Sequence, residues 1–202
     1  FYVSGGNVMH LLESASHRFK CIPFIHEVGA CIAVDYFNEI SEQNNKAFLI
    51  VTAGPGLTNA LTGIVGAWTE SRELLIIGGQ AKSSELSKGK FRQIGFQEID
   101  GASLCKTVTK ASVCLNSQIS KMELFELVKL SKTDRKGPVF IEICLDVTTQ
   151  DRNNLIDSNI KYQPNSVLNG FEIIESVNEI SDLLLSAKRP IVLIGGGVNR
   201  NT

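Results

Sequence analysis

Four runs along the chain are continuously apolar and end in glycine, proline or a polar turn: "KAFLIVTAGPG", "ELLIIGGQ", "GPVFIEICLD" and "RPIVLIGGG". Unbroken apolarity over a strand's length predicts strands buried on both faces, as in a parallel sheet. "FYVSGG" at the start has a similar strand-like character. Between these runs the apolar spacing becomes helical. Ala30, Ala33, Val34 and Phe37 follow i, i+3, i+4, i+7, and so do Leu61, Ile64, Val65 and Trp68. "KMELFELVKLSK" and "FEIIESVNEISDLLLSAK" are further amphipathic helices. Strands alternating with helices predict an α/β fold: an open, mostly parallel sheet with helices on both faces.

The pattern fails over residues 148–170, a polar, Asn-rich stretch that reads as a linker. It separates a first domain, 1–147, from a helix and strand at 171–202 that open a second. Residue 1 is Phe, and the chain stops just after a strand and a glycine turn. Both ends suggest a piece of a longer protein.

Composition narrows the function classes. The chain has 202 residues, 43% of them hydrophobic, and a formal net charge of −1. That balance gives no reason to expect nucleic acid or an anionic membrane as partner. No apolar run approaches the ~20 residues needed to span a bilayer. Cys21, Cys31, Cys105, Cys114 and Cys144 are odd in number and form no C-x-x-C. They read as reduced, packed thiols of a cytoplasmic protein.

Chemistry concentrates where strands give way to helices. In open α/β sheets ligands bind at the carboxyl ends of the strands. Three loops belong there: 5–7, 26–29 and 53–59. "TAGPGLTN" is neither a P-loop nor G-x-G-x-x-G. Gly54 and Gly56 let backbone approach a ligand, although Gly-Pro-Gly also serves as a plain strand-to-helix turn. Gly63, Gly66 and Ala67 are small enough for another helix to approach closely. Glu27 is the acidic residue among the three loops. It sits one turn before Ala30, Cys31 and Val34 and so points with the buried stripe. A buried carboxylate is costly unless paired or working, while an acid at a helix start also complements the dipole. His10, His17 and His26 show no metal-ligand spacing, and no G-x-S-x-G elbow supports a serine hydrolase. No metal site is expected from these residues alone.

Taken in order, these segments resemble the N-terminal pyrimidine-binding domain of thiamine-diphosphate enzymes, nearest the acetolactate synthase group. The resemblance lies in "FYVSGGN", "HEVGA", "TAGPGLTN", "IIGGQ", "GFQEID", "TK" at 109–110 and "RKGPVFIEICLDV". It implies that Glu27 hydrogen-bonds N1′ of the cofactor's aminopyrimidine. The tautomer so favoured takes the proton from thiazolium C2, and the carbanion attacks a 2-keto acid, which loses carbon dioxide. Gln97 would lie near the cofactor, with Glu27 the catalytic pair. Gly54, Pro55 and Asn59 would line the pyrimidine pocket. Phe96 and Lys110 match positions on the substrate side. Ser71 and Arg135 match positions that touch flavin in the FAD-containing members. The resemblance implies a homodimer or tetramer. It also implies magnesium and diphosphate held by a separate domain whose G-D-G…N motif is absent here, so that this piece alone would be inactive.

Departures from the family pattern are Ser4 for proline, Ile25 for arginine, Val28 for glutamine, Arg72 and Glu73 for apolar residues and proline, Ala111 for histidine and Leu145 for proline. They allow a second reading, a non-catalytic assembly module that keeps the fold. Intact Glu27, Gly-Pro-Gly and Gln97 favour the enzyme.

Overall fold

The computed structural model describes residues 1–41, 45–150, 170–196 and 198, with backbone alone over 170–173. Four parallel strands, β1 (Leu49–Val51), β2 (Leu74–Gln80), β3 (Ala111–Leu115) and β4 (Pro138–Cys144), form one sheet in the order β1-β2-β4-β3. Tyr2 continues it beyond β1 through parallel bridges to Ile50 and Pro23. Among the described residues five helices accompany the sheet, α1 (Met9–Ser16), α2 (Glu27–Ile40), α3 (Pro55–Thr69), α4 (Gly101–Cys105) and α5 (Lys121–Leu130), and a sixth, α6 (Gly170–Ser186), has its described side chains exposed.

The continuous apolar runs make sense once the two faces are separated. Leu49, Val51, Leu74, Ile76 and Phe140 point to one face, where Ala30, Cys31 and Val34 of α2 and Leu57, Ala60, Ile64 and Ala67 of α3 cover them. Alternate residues point the other way. Val139 and Ile141 meet Leu127 of α5, and Ile50 meets Val8 and Ala15 beside α1. Phe140 is fully buried at the centre of the first layer. Its truncation to Ala removes a packed aromatic at a cost of about 3–5 kcal/mol. The α/β fold with a parallel sheet is as the pattern predicts.

Two elements differ from the sequence reading. "ASVCL" forms β3, although its mixed Ala, Ser and Cys hid it; it is the outermost strand of the order. "RPIVLI" is not a strand, and its apolar side chains are exposed. A strand is completed by ladder hydrogen bonds, and among the described residues none reaches it. The linker 148–170 lies outside the described residues except at 148–150 and at the backbone of Gly170.

Three of the five cysteines are buried, and all are free. Burial pushes the thiols of Cys31 and Cys105 up to about 12, which keeps them protonated and unreactive.

Candidate active site at the carboxyl edge of the sheet

Glu27 is the first residue of α2. His26 precedes it in extended conformation, and its Nδ1 accepts from the Val28 backbone N–H at 3.3 Å. This local cap starts the helix and turns Glu27 inward, where it is 8% exposed. Asn59, one turn into α3, donates from Nδ2 to Glu27 Oε2 at 2.9 Å. Among the described residues Oε1 accepts no hydrogen bond. It lies 3.6 Å from where a Cβ on Gly56 would stand. One carboxylate oxygen is therefore fixed and the other left open beside bare backbone.

The rest of the edge closes around this pair. The chain leaves Val3 by donating from its N–H to the Ile50 carbonyl, which sets residues 4–7 beside the end of β1. Thr52 caps that end, and a Cβ on Gly56 would meet its Cγ2 at 2.9 Å. Thr52 Oγ1 is buried and without a partner among the described residues. Gly54 has φ 61°, and an added Cβ would stand 2.6 Å from the Gln97 carbonyl oxygen. Only glycine satisfies both the left-handed backbone and that approach. The contact brings Gln97, 43 positions along the chain, onto the turn that opens α3.

The loop carrying Gln97 is organised by Glu98. Its carboxylate accepts from the backbone N–H of Ser87 at 2.6 Å, Ile94 at 2.8 Å and Gly95 at 3.1 Å. Burial opposes the charge, but these donors outweigh it and hold the carboxyl down to about 2. Gln97 itself sits at φ 57°. That conformation is uncommon for a residue with a side chain and points to a constrained loop. Phe96 projects outward, 78% exposed.

Glu27, Gly54, Pro55, Asn59 and Gln97 are thus brought to one edge, with Phe96 at its rim. Lys110, Ser71 and Arg135 are not. Lys110 precedes β3 and its backbone N–H donates to the Pro138 carbonyl, at the amino end of the strands. Its ammonium donates to the Thr133 carbonyl, and burial lowers its basicity, with Asp134 opposing. Arg135 Nε donates to Ser71 Oγ at 2.7 Å. These three form a separate group at the amino edge. The small residues of α3 meet a helix of the same chain: a Cβ on Gly63 would stand 2.6 Å from Cys31 Sγ of α2.

The thiamine pyrophosphate enzyme family, in its N-terminal TPP binding domain, matches residues 1–104 of the 202. The chain belongs to this family. Among relatives, the chain is 31% identical over 201 residues to the acetolactate synthase large subunit of Lactococcus lactis, covering 96% of this chain and 33% of that protein. It is 25% identical over 208 residues to the mitochondrial acetolactate synthase catalytic subunit of Saccharomyces cerevisiae, covering 98% and 29%. It is 29% identical over 229 residues to 2-hydroxyacyl-CoA lyase 2 of Caenorhabditis elegans, covering 96% and 34%. The chain spans about a third of the length of these relatives.

The chain is the N-terminal part of an acetolactate synthase-like thiamine-diphosphate enzyme. The Glu27 oxygen that accepts no hydrogen bond and the orphaned Thr52 hydroxyl both lie against the bare backbone of Gly56, polar groups of the kind a bound heterocycle would engage. Among the described residues no group of three metal-ligating side chains gathers, and no helix is long and apolar enough to cross a membrane. Two polar residues of the site's floor escaped the sequence reading. Glu142 is an acid inside the apolar run "PVFIEICL", which is the signal that could have exposed it. Gln80 closes "IIGGQ", one of the motifs that carry the resemblance, but was given no role there.

Proposed function

We propose that this chain supplies the pyrimidine-binding half of a thiamine-diphosphate active site, in an acetolactate synthase-like protein that decarboxylates a 2-keto acid and transfers the two-carbon unit. The observation that carries this reading is the Glu27 carboxylate, held at Oε2 by Asn59 and open at Oε1 beside Gly56. When bound, the cofactor supplies the carbanion chemistry.

The chain's own residues do four things in this reading. Glu27 Oε1 would hold or share a proton with a ring nitrogen of the cofactor. Asn59 keeps that oxygen aimed by holding Oε2. Gly54 and Pro55 would line the pocket for the pyrimidine ring. Gln97 reaches the cofactor from the loop that Glu98 organises, and Phe96 lines the substrate's approach. Magnesium and diphosphate would be held by another part of the protein. Lys110, Ser71 and Arg135 would serve at the amino edge, the last two as a flavin contact. A homodimer or tetramer would complete the site.

The reading is tested on the full-length protein with thiamine diphosphate, magnesium and pyruvate, following carbon dioxide release. Wild type is expected to turn over. Glu27→Gln is expected to lose about 10²-fold or more, the scale of a positioned acid–base group. Cofactor binding with no release from pyruvate would move the donor to another 2-keto acid. No cofactor binding by wild type would overturn the reading and favour an assembly module.

A further inference from the structure

Beneath the Gln97 loop lies a layer of buried polar side chains that the site itself does not use. Gln80, at the end of β2, donates from Nε2 to the Ile99 carbonyl at 2.7 Å and accepts at Oε1 from the Ala81 N–H at 2.8 Å. Ser112 of β3 donates to the Ala102 carbonyl at 2.6 Å. Between them, on β4, is Glu142, 1% exposed. Its register partners are Gly78 on β2 and Cys114 on β3. The Gln80 amide and the Cys114 thiol lie near enough to act on its carboxyl. Above it, a Cβ on Gly101 would stand 2.4 Å from Glu142 Oε1. The carboxyl therefore presses directly on the backbone of α4's first residue, four positions after Gln97.

We propose that Glu142, acting through Gln80, is a positioning residue: a neutral buried strut that seats residues 99–102 and thereby holds Gln97 against the Gly54 turn. The link to catalysis rests on the proposed function; the strut itself does not. The geometry asks for a neutral group. The titratable groups that face Glu142 are Cys114 from β3, with Cys144 behind it, and Asp100 and Cys105 from the segment above. Among the described residues no cation is there to answer a charge. Burial, reinforced by Cys114, pushes the carboxyl up to about 9, although the Gln80 amide pulls it down. At neutral pH it holds its proton and can accept from Gln80. Ionisation would put an unanswered charge under the loop.

The sign follows from proton binding. The folded chain keeps a proton on Glu142 between the ordinary carboxylate range and about 9, whereas the unfolded chain has lost it. Stability from this group therefore falls as pH rises through that window. Glu142→Gln, neutral and nearly isosteric, removes the dependence.

The test is amide hydrogen exchange of the full-length protein without cofactor, read on peptides spanning 95–103 and corrected for intrinsic rate, with α2 peptides as the control for global opening. From pH 7 to 10 wild type is expected to lose about tenfold or more of its protection over 95–103, and Glu142→Gln less than about twofold. Glu142→Met, which cannot accept from Gln80, is expected to exchange faster there already at pH 7, with α2 unchanged. The dissociation constant for thiamine diphosphate should rise with pH in wild type and stay flat in Glu142→Gln. Parallel pH profiles of wild type and Glu142→Gln over 95–103 would overturn the strut. If wild type does not bind thiamine diphosphate at all, the proposed function fails, while the exchange profiles still decide the strut.

Discussion

The two edges of the sheet pair their polar groups by different means. At the amino edge, charge is answered by charge. Lys46 lies 2.8 Å from Glu73 and also donates to the Asn38 and Ser41 carbonyls. Arg72 reaches Asp35 Oδ2 at 3.1 Å, leaving Oδ1 without a partner among the described residues, and stacks over the Tyr36 ring, 4.7 Å from its centroid. Arg135 holds Ser71. At the carboxyl edge the acids meet neutral donors: Glu98 accepts from three backbone N–H groups, while Glu27 is held at Oε2 by Asn59 with Oε1 open, and Thr52 Oγ1 has no partner among the described residues. A group that folding satisfies completely has little left for a ligand. A group left half-satisfied in a buried place is costly; Asp35 at least has the Arg72 cation beside it, whereas Glu27 and Thr52 both lie against Gly56 with no cation paired to them among the described residues. The comparison also explains two departures from the family pattern. Arg72 and Glu73 came with partners on α2 and at Lys46, away from the Glu27 cluster.

The sharpest way to break this comparison is at Gly54. Gly54→Ala imposes a side chain on a left-handed backbone and drives it into the Gln97 carbonyl. We expect a loss of about 3 kcal/mol, read as a lowered urea midpoint, together with weaker thiamine-diphosphate binding. Asn59→Ala follows. It leaves Glu27 Oε2 buried and unpartnered at a cost of about 2 kcal/mol, and cofactor affinity should fall with it. Lys46→Met, at the amino edge, strands the Glu73 carboxylate and should cost about 1.5 kcal/mol. It should leave cofactor affinity unchanged; a parallel fall would erase the distinction between the edges. The smallest effect is seen only in acid. The depressed Glu98 carboxyl contributes stability that is present above its ordinary range and lost as pH falls through about 2. Exchange over 86–98 should quicken there in wild type and not in Glu98→Gln.

Much of the fold was legible because a sheet buried on both faces writes unbroken apolar runs, as β1, β2 and β4 do. The outermost β3 carries Ser112 and Cys114 towards the polar floor, so its run is broken. "RPIVLI" shows the converse: apolarity marks a segment that wants burial, but a strand exists only with a neighbour to pair. Glu27 was legible as a charge placed on a buried helical stripe. Its fixed and open oxygens were not, because they depend on Asn59 and Gly56 from another helix. Lys110, Ser71 and Arg135 were read from motif order alone, which says nothing about which end of a strand a residue occupies. Glu142 and Gln80 were missed because their role is to act on a loop brought over them only by the fold.

The most direct measurement is the rate of hydrogen exchange at thiazolium C2 of thiamine diphosphate bound to the full-length protein, in wild type and Glu27→Gln. The open Glu27 oxygen predicts fast exchange in wild type and a slowing of about 10²-fold or more in the variant. Equal rates in the two proteins, with the cofactor bound in both, would contradict the role given to Glu27.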